Sequence, residues 1–201
     1  MNWKYTVIKI VLSIVILILA YLIYESIMKP LRFNRAVTAR ESKVIERLSD
    51  IRNSQQFYKK MNHQYTGSFD TLISFLKVGK IPVVKIVPDP KDTTYSKTIN
   101  DTIGYVSIAD SLFSKRRNFS LDSLRYIPFS GKVPFEINAG KIDRGGLKVS
   151  VFEVRAHYKT FLKGLDKQSI INLIKSKKDI DRFPGLKVGS MEEPSTDGNW
   201  E

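Results

Sequence analysis

Residues 5–65 read YTVIKIVLSIVILILAYLIYESIMKPLRFNRAVTARESKVIERLSDIRNSQQFYKKMNHQY. Two different patterns govern this run in turn. From Ile10 to Tyr24 the chain carries no charge, and Tyr5 to Lys9 lengthen the apolar segment to about twenty residues. At about 1.5 Å of rise per residue, a helix of that length crosses a hydrocarbon core of about 30 Å. Trp3, Tyr5, Tyr21 and Tyr24 stand at its ends, where amphipathic rings favour the interface, and Ile10 and Leu17 lie between them. Lys4 and Lys9 are placed to snorkel from the amino-terminal end. A cleaved signal peptide is the rival reading, but cleavage wants small residues one and three places before the cut, and in Ile18-Leu19-Ala20-Tyr21 only Ala20 qualifies. Residues 1–28 are therefore expected to be a retained single-pass anchor in a lipid bilayer.

Past the anchor the period changes. Pro30 lacks an N–H and clashes with the preceding turn, so it predicts a kink or a restart of the helix just beyond the membrane surface. Val37, Val44, Leu48, Ile51, Gln55 and Tyr58 then follow at steps of seven, four, three, four and three, which is one apolar stripe on an amphipathic helix. Residues 29–66 read as a stalk. Along it Val37, Val44, Leu48, Ile51 and Tyr58 are the expected core or interface residues, packing on the chain's own domain or on a neighbouring subunit. Glu46 and Asp50 form a like-charged pair that Lys43 and Arg47 offset.

The stalk continues through AVTARESKVIERLSDIRNSQQFYKKMNHQYTGSFDTLISFL. Together with the apolar span and Pro30 it resembles the N-terminal helix of type IV pilins and of the major pseudopilins of type II secretion. Gln55, Gln56, Tyr58, Asn62, Tyr65, Phe69, Leu72 and Leu76 are the matching positions, and the likeness extends over residues 1 to about 78. It implies a pilin-like fold and a role as an assembly subunit. The family's processing site is not matched, since no acidic residue precedes Glu25, so cleavage by a prepilin peptidase is not expected. The whole chain is also similar to uncharacterised single-pass envelope proteins of Bacteroidetes, a likeness that implies no activity.

Residues 67–191 read as an α+β domain. Ser68 caps a helix from Phe69 to Lys77 that Gly79 ends. Ile81 to Val87, flanked by prolines, predicts an edge strand, and Asp89 to Asp101 an exposed loop or loose hairpin. A strand from Ile103 to Ile108 and helical turns at 109–113 and 121–124 follow. The strongest β signal is Val133–Ile142 and Leu147–Tyr158 around the turn Asp143-Arg144-Gly145-Gly146. In the second strand Ser150, Phe152, Val154 and Ala156 are expected to face the core. A helix over Lys167–Lys178 and a last strand over Leu186–Met191 complete the domain, and residues 192–201 read as an exposed tail. The expected architecture is α+β: a transmembrane helix continuing into a long stalk helix packed on a small antiparallel sheet.

Composition limits the chemistry. Cysteine is absent, which excludes disulfides, thiolate metal sites and a cysteine nucleophile. His63 and His157 are the only imidazoles, and neither has an acidic or histidine neighbour at i+3 or i+4. No nucleophile elbow, Walker loop or dinucleotide fingerprint occurs, so no enzyme activity, cofactor or metal is expected. The formal charge of +13 is spread over the chain without a long basic block, so nucleic acid is not an expected partner. Two functions remain. One is a non-enzymatic single-pass subunit of a bacterial envelope assembly in the inner membrane, contacting other envelope proteins or copies of itself. The other is a membrane-tethered basic module for an anionic ligand such as lipid headgroups, cell-wall polymer or, were the domain cytoplasmic, nucleic acid. The cations after the span argue for a cytoplasmic domain, but long downstream domains translocate largely regardless of charge. A periplasmic domain is expected.

Overall fold

A computed structural model describes residues 3–88, 98–114, 116 and 119–201 of the 201-residue chain. Helix α1 runs unbroken over Trp3–Asn62, with Pro30 inside it. The restart expected at Pro30 is therefore not seen. The missing N–H leaves one carbonyl of the preceding turn to find another partner, a cost the remaining ladder tolerates near water. The helix stops where His63 takes a left-handed φ of 57°. There the buried Gln55 amide clips the returning chain, donating to the Thr66 carbonyl at 2.6 Å and accepting from the Thr66 N–H at 3.1 Å.

Helix α2 (Phe69–Val78) begins at Ser68, whose hydroxyl accepts from the Thr71 N–H, and ends at Gly79. Phe69, Leu72, Ile73 and Leu76 are buried, as its apolar face requires. Strands β1 (Lys80–Pro88) and β2 (Thr98–Ser107) form an antiparallel ribbon of their own. Residues 89–97 of the expected loop lie outside the described residues, and from Thr98 the chain is strand. Ser107 caps α3 (Ile108–Phe113), and a short 3-10 turn covers Leu121–Arg125.

A second sheet follows, in the order β3 (Glu136–Arg144), β4 (Leu147–His157) and β5 (Gly185–Gly189), antiparallel throughout. Gly145 and Gly146 supply the positive φ of the β3–β4 turn. Helices α4 (Tyr158–Phe161) and α5 (Lys167–Lys178) connect β4 to β5, and the Asp166 carboxylate caps α5 on the Ser169 N–H at 2.9 Å. The chain is thus α+β with two small antiparallel sheets in place of the single one expected. Strand β5 lies along α1. Val44, Leu48 and Ile51 of α1 join Phe152, Val154 and Ala156 of β4 and Leu186 and Val188 of β5 in one buried cluster.

Two expectations about exposure are revised. Only the Phe152 face of β4 is expected to face the core, yet Val151 and Glu153 on the opposite face are also buried. The chain after β5 folds back over that face: a Cβ at Gly140, the cross-strand partner of Val151, would meet the Met191 methyl at 3.1 Å. Residues 192–201, expected as an exposed tail, are also tied down. Gly198 bridges to Val188, Asn199 bonds Lys187 and Gly185, Trp200 packs on the core, and Glu201 pairs with Arg52 at 2.6 Å.

Gly189 turns this return, with a φ of 74°, and a Cβ there would lie 2.3 Å from the Phe152 carbonyl oxygen. Backbone strain and steric clash coincide. Gly189→Ala is therefore expected to lower unfolding free energy by at least about 2 kcal/mol, read as a shifted urea midpoint.

Candidate functional site

The feature most in need of a function is the first half of α1. Trp3, Tyr5, Ile10, Leu17, Tyr21 and Tyr24 are all exposed, and so is every residue between Tyr5 and Tyr24. Among the described residues no other part of the chain covers this segment. Large contiguous apolar surfaces of this kind mark a site of burial against something else. Ser13, the one polar side chain in its middle, donates to the Lys9 carbonyl at 3.0 Å and so presents no unsatisfied hydroxyl. The segment is long and apolar enough to cross a membrane, and it is the one described helix that is.

Beyond Pro30 the same helix becomes the spine of the domain. Val37, Val44, Leu48 and Ile51 are buried against the chain's own sheet and helices, and Tyr58 is half-buried with its ring 5.0 Å from Phe75. The stripe is core. It is thereby unavailable for lateral packing on another subunit.

The polar side of the spine is also engaged. Asp50, buried, accepts from Arg116 at 2.5 Å, and Arg116 also lies 3.3 Å from Glu46. Arg47 points elsewhere, donating to the Ser123 carbonyl and hydroxyl. Burial lifts the Asp50 carboxyl above its ordinary value against the downward pull of Arg116, whereas the Lys43 hydrogen bond holds Glu46 below its own. An acid with a raised folded-state value binds its proton more readily folded than unfolded. Its contribution to stability therefore falls as pH rises from the ordinary carboxylate range through the raised folded value. Arg116→Gln removes the compensating charge and widens that window. We expect a loss of about 1–3 kcal/mol near pH 7, less than for a fully buried pair because Arg116 is a third exposed, and a smaller loss near pH 4. Urea unfolding at the two pH values measures it.

On the sheet, the buried Glu153 carboxylate is held by Arg155 at 2.6 Å and Lys187 at 3.2 Å. His157 stands 3.5 Å from Glu136 across the strands and against Phe183. Glu153–Lys187 and Glu136–His157 join residues distant in sequence, so spacing along the chain does not reveal them. An open cleft of about 430 Å³ runs between α1, α5 and β5, with Glu41, Tyr158, Asp181 and Arg182 among its walls. Burial, reinforced by the Glu41 carboxylate, pushes the Tyr158 hydroxyl well above its ordinary range, so it stays protonated at neutral pH. Among the described residues no group of three or more His, Asp or Glu side chains is placed to hold a metal.

The β1–β2 ribbon completes the inventory. Val83, Val84, Ile103, Tyr105 and Val106 are exposed along it. Two-stranded ribbons are marginal alone.

No family model, curated protein or solved structure matches the chain.

Proposed function

We propose that this chain is a non-enzymatic, single-pass subunit of a bacterial envelope assembly, anchored in the inner membrane by the first half of α1 and carrying a periplasmic domain with a pilin-like stalk. The observation that carries this reading is the continuity of α1. One helix is bare and apolar over residues 5–24 and buried as a core spine from Val37 onward, so a force or orientation imposed on the span passes directly to the domain. With the stalk stripe used as core, protein contacts fall to other surfaces, and the exposed β-branched ribbon supports that role.

Two measurements test it. Single cysteines at the exposed Ser74 and Lys148, in a chain with none of its own, are labelled with an impermeant maleimide in cells whose outer membrane is opened. Labelling before lysis is expected, and protection until lysis would place the domain in the cytoplasm. Purification in mild detergent should then return other membrane proteins in a fixed ratio. Recovery of a lone monomer would contradict the assembly role.

A second reading is favoured by the excess of 33 Lys and Arg over 20 Asp and Glu: a tethered basic module that holds an anionic ligand. It predicts binding that weakens steeply with salt.

A further inference from the structure

We propose that the membrane-proximal end of the domain is a basic collar that binds the anionic phosphate headgroups of the leaflet through which α1 emerges. This rests on the single-span reading and assigns a lipid contact to the domain itself. The apolar run ends at Tyr24 and Lys29 follows five residues later, about 8 Å along the axis. Headgroups add about 5–8 Å to each side of the hydrocarbon, so Lys29 stands at the outer edge of that layer.

The domain reaches down to the same level. Arg40 donates from Nη1 to the Phe161 and Lys163 carbonyls, both at 2.9 Å, and Lys29 Nζ lies 3.3 Å from the Asp166 carboxylate. The α4–α5 loop, turned by Gly164 at a φ of 92°, is thereby held beside α1. Gly164, Leu165 and Asp166 share one concave surface with Glu25, Lys29 and Arg32.

Lys29 and Arg32 line this surface; Lys163 and Lys167 flank residues 164–166 in sequence, Arg35 follows Arg32 on α1, and all five are exposed. The acids of the same surface are Glu25 and Asp166, and each is already paired, with Arg32 and Lys29 respectively. Arg35, Lys163 and Lys167 have no acidic partner among the described residues. Cations held within a Debye length of an anionic leaflet are drawn to it. The anchor keeps them there permanently, so even a weak contact with each headgroup is made at high local concentration. The collar would fix how the domain stands on the membrane, through a loop bonded to α1 rather than through a flexible linker.

The test uses the full chain in vesicles of phosphatidylcholine alone or with about one third phosphatidylglycerol. Gln168→Cys, exposed and uncharged in the first turn of α5, carries a fluorophore, and lipids with a headgroup-attached quencher report its approach. Quenching is expected to be roughly twofold stronger in the anionic vesicles. It should fall to the neutral level in about 0.5 M salt, and also in the variant Arg35→Gln/Lys163→Gln/Lys167→Gln. Equal quenching in both vesicles, an unaffected triple variant, or the same response from a label at Ser74 would overturn the collar. Release of the chain by alkaline carbonate would instead overturn the span, and the collar with it.

Discussion

Replacing Ile14 and Leu17 together by arginine is expected to move the chain from the carbonate-resistant membrane pellet into the soluble fraction. Each arginine at the centre of a span opposes insertion by about 2.5–3.5 kcal/mol, so the pair opposes it by about 5–7 kcal/mol. Both side chains are exposed and three residues apart, hence on one face of the helix. Neither belongs to the buried cluster, whose first member is Val37, so the urea midpoint of the domain should not move. Loss from the membrane with the fold intact would separate the anchor from the spine within one helix. Retention of the double variant in the pellet would mean that residues 5–24 do not hold the chain in the bilayer.

Phe152→Ala carries the second large effect, on the fold alone. The ring is fully buried on β4, its centroid lies 4.6 Å from that of Tyr65, and its backbone carbonyl sits against Gly189. Truncation leaves a cavity where the helix return, the sheet and the carboxyl-terminal turn meet, at a cost of about 3–5 kcal/mol. Single domains are stable by about 5–15 kcal/mol in all, so the variant should unfold at much lower urea. With Trp3 replaced by phenylalanine, Trp200 becomes the single tryptophan and, packed on the core, reports the transition. A change below about 1 kcal/mol would mean that β4 is not seated on α1.

Much of this architecture is legible locally. The 3.6-residue spacing of Val37, Val44, Leu48 and Ile51 identifies the buried face of α1, Ser68 announces its helix as a cap, and Gly145-Gly146 marks its hairpin. What is not legible depends on partners far along the chain. Glu153 alternates onto the face that a lone hairpin would leave wet. Its burial follows from Lys187 on β5 and from the return past Met191, neither of which a strand's own period encodes. The carboxyl-terminal residues have the composition of a loose tail, and two side chains, Asn199 and Trp200, reverse that. Arg116 reaches Asp50 over 66 positions, where spacing offered only Arg47 and Lys43 as neighbours. The exposed apolar segment is the clearest signal in the chain, and the cations that collect below the domain emerge only once the α4–α5 loop is placed beside Lys29.

Spin labels at successive single cysteines from Tyr5 to Tyr58, in full-length chain reconstituted in bilayers, would test the two-part helix most directly. From Tyr5 to Tyr24 we expect high collision with lipid-soluble oxygen and low collision with a water-soluble nickel chelate at every position, with no protected face. From Val37 the label should become inaccessible to both reagents at Val37, Val44, Leu48 and Ile51, and accessible to the chelate at the exposed positions between them such as Ser42 and Lys43, in a period of 3.6. A 3.6-residue period in chelate access within residues 5–24 would instead show one face packed on protein and the other in water, and the membrane span would be contradicted.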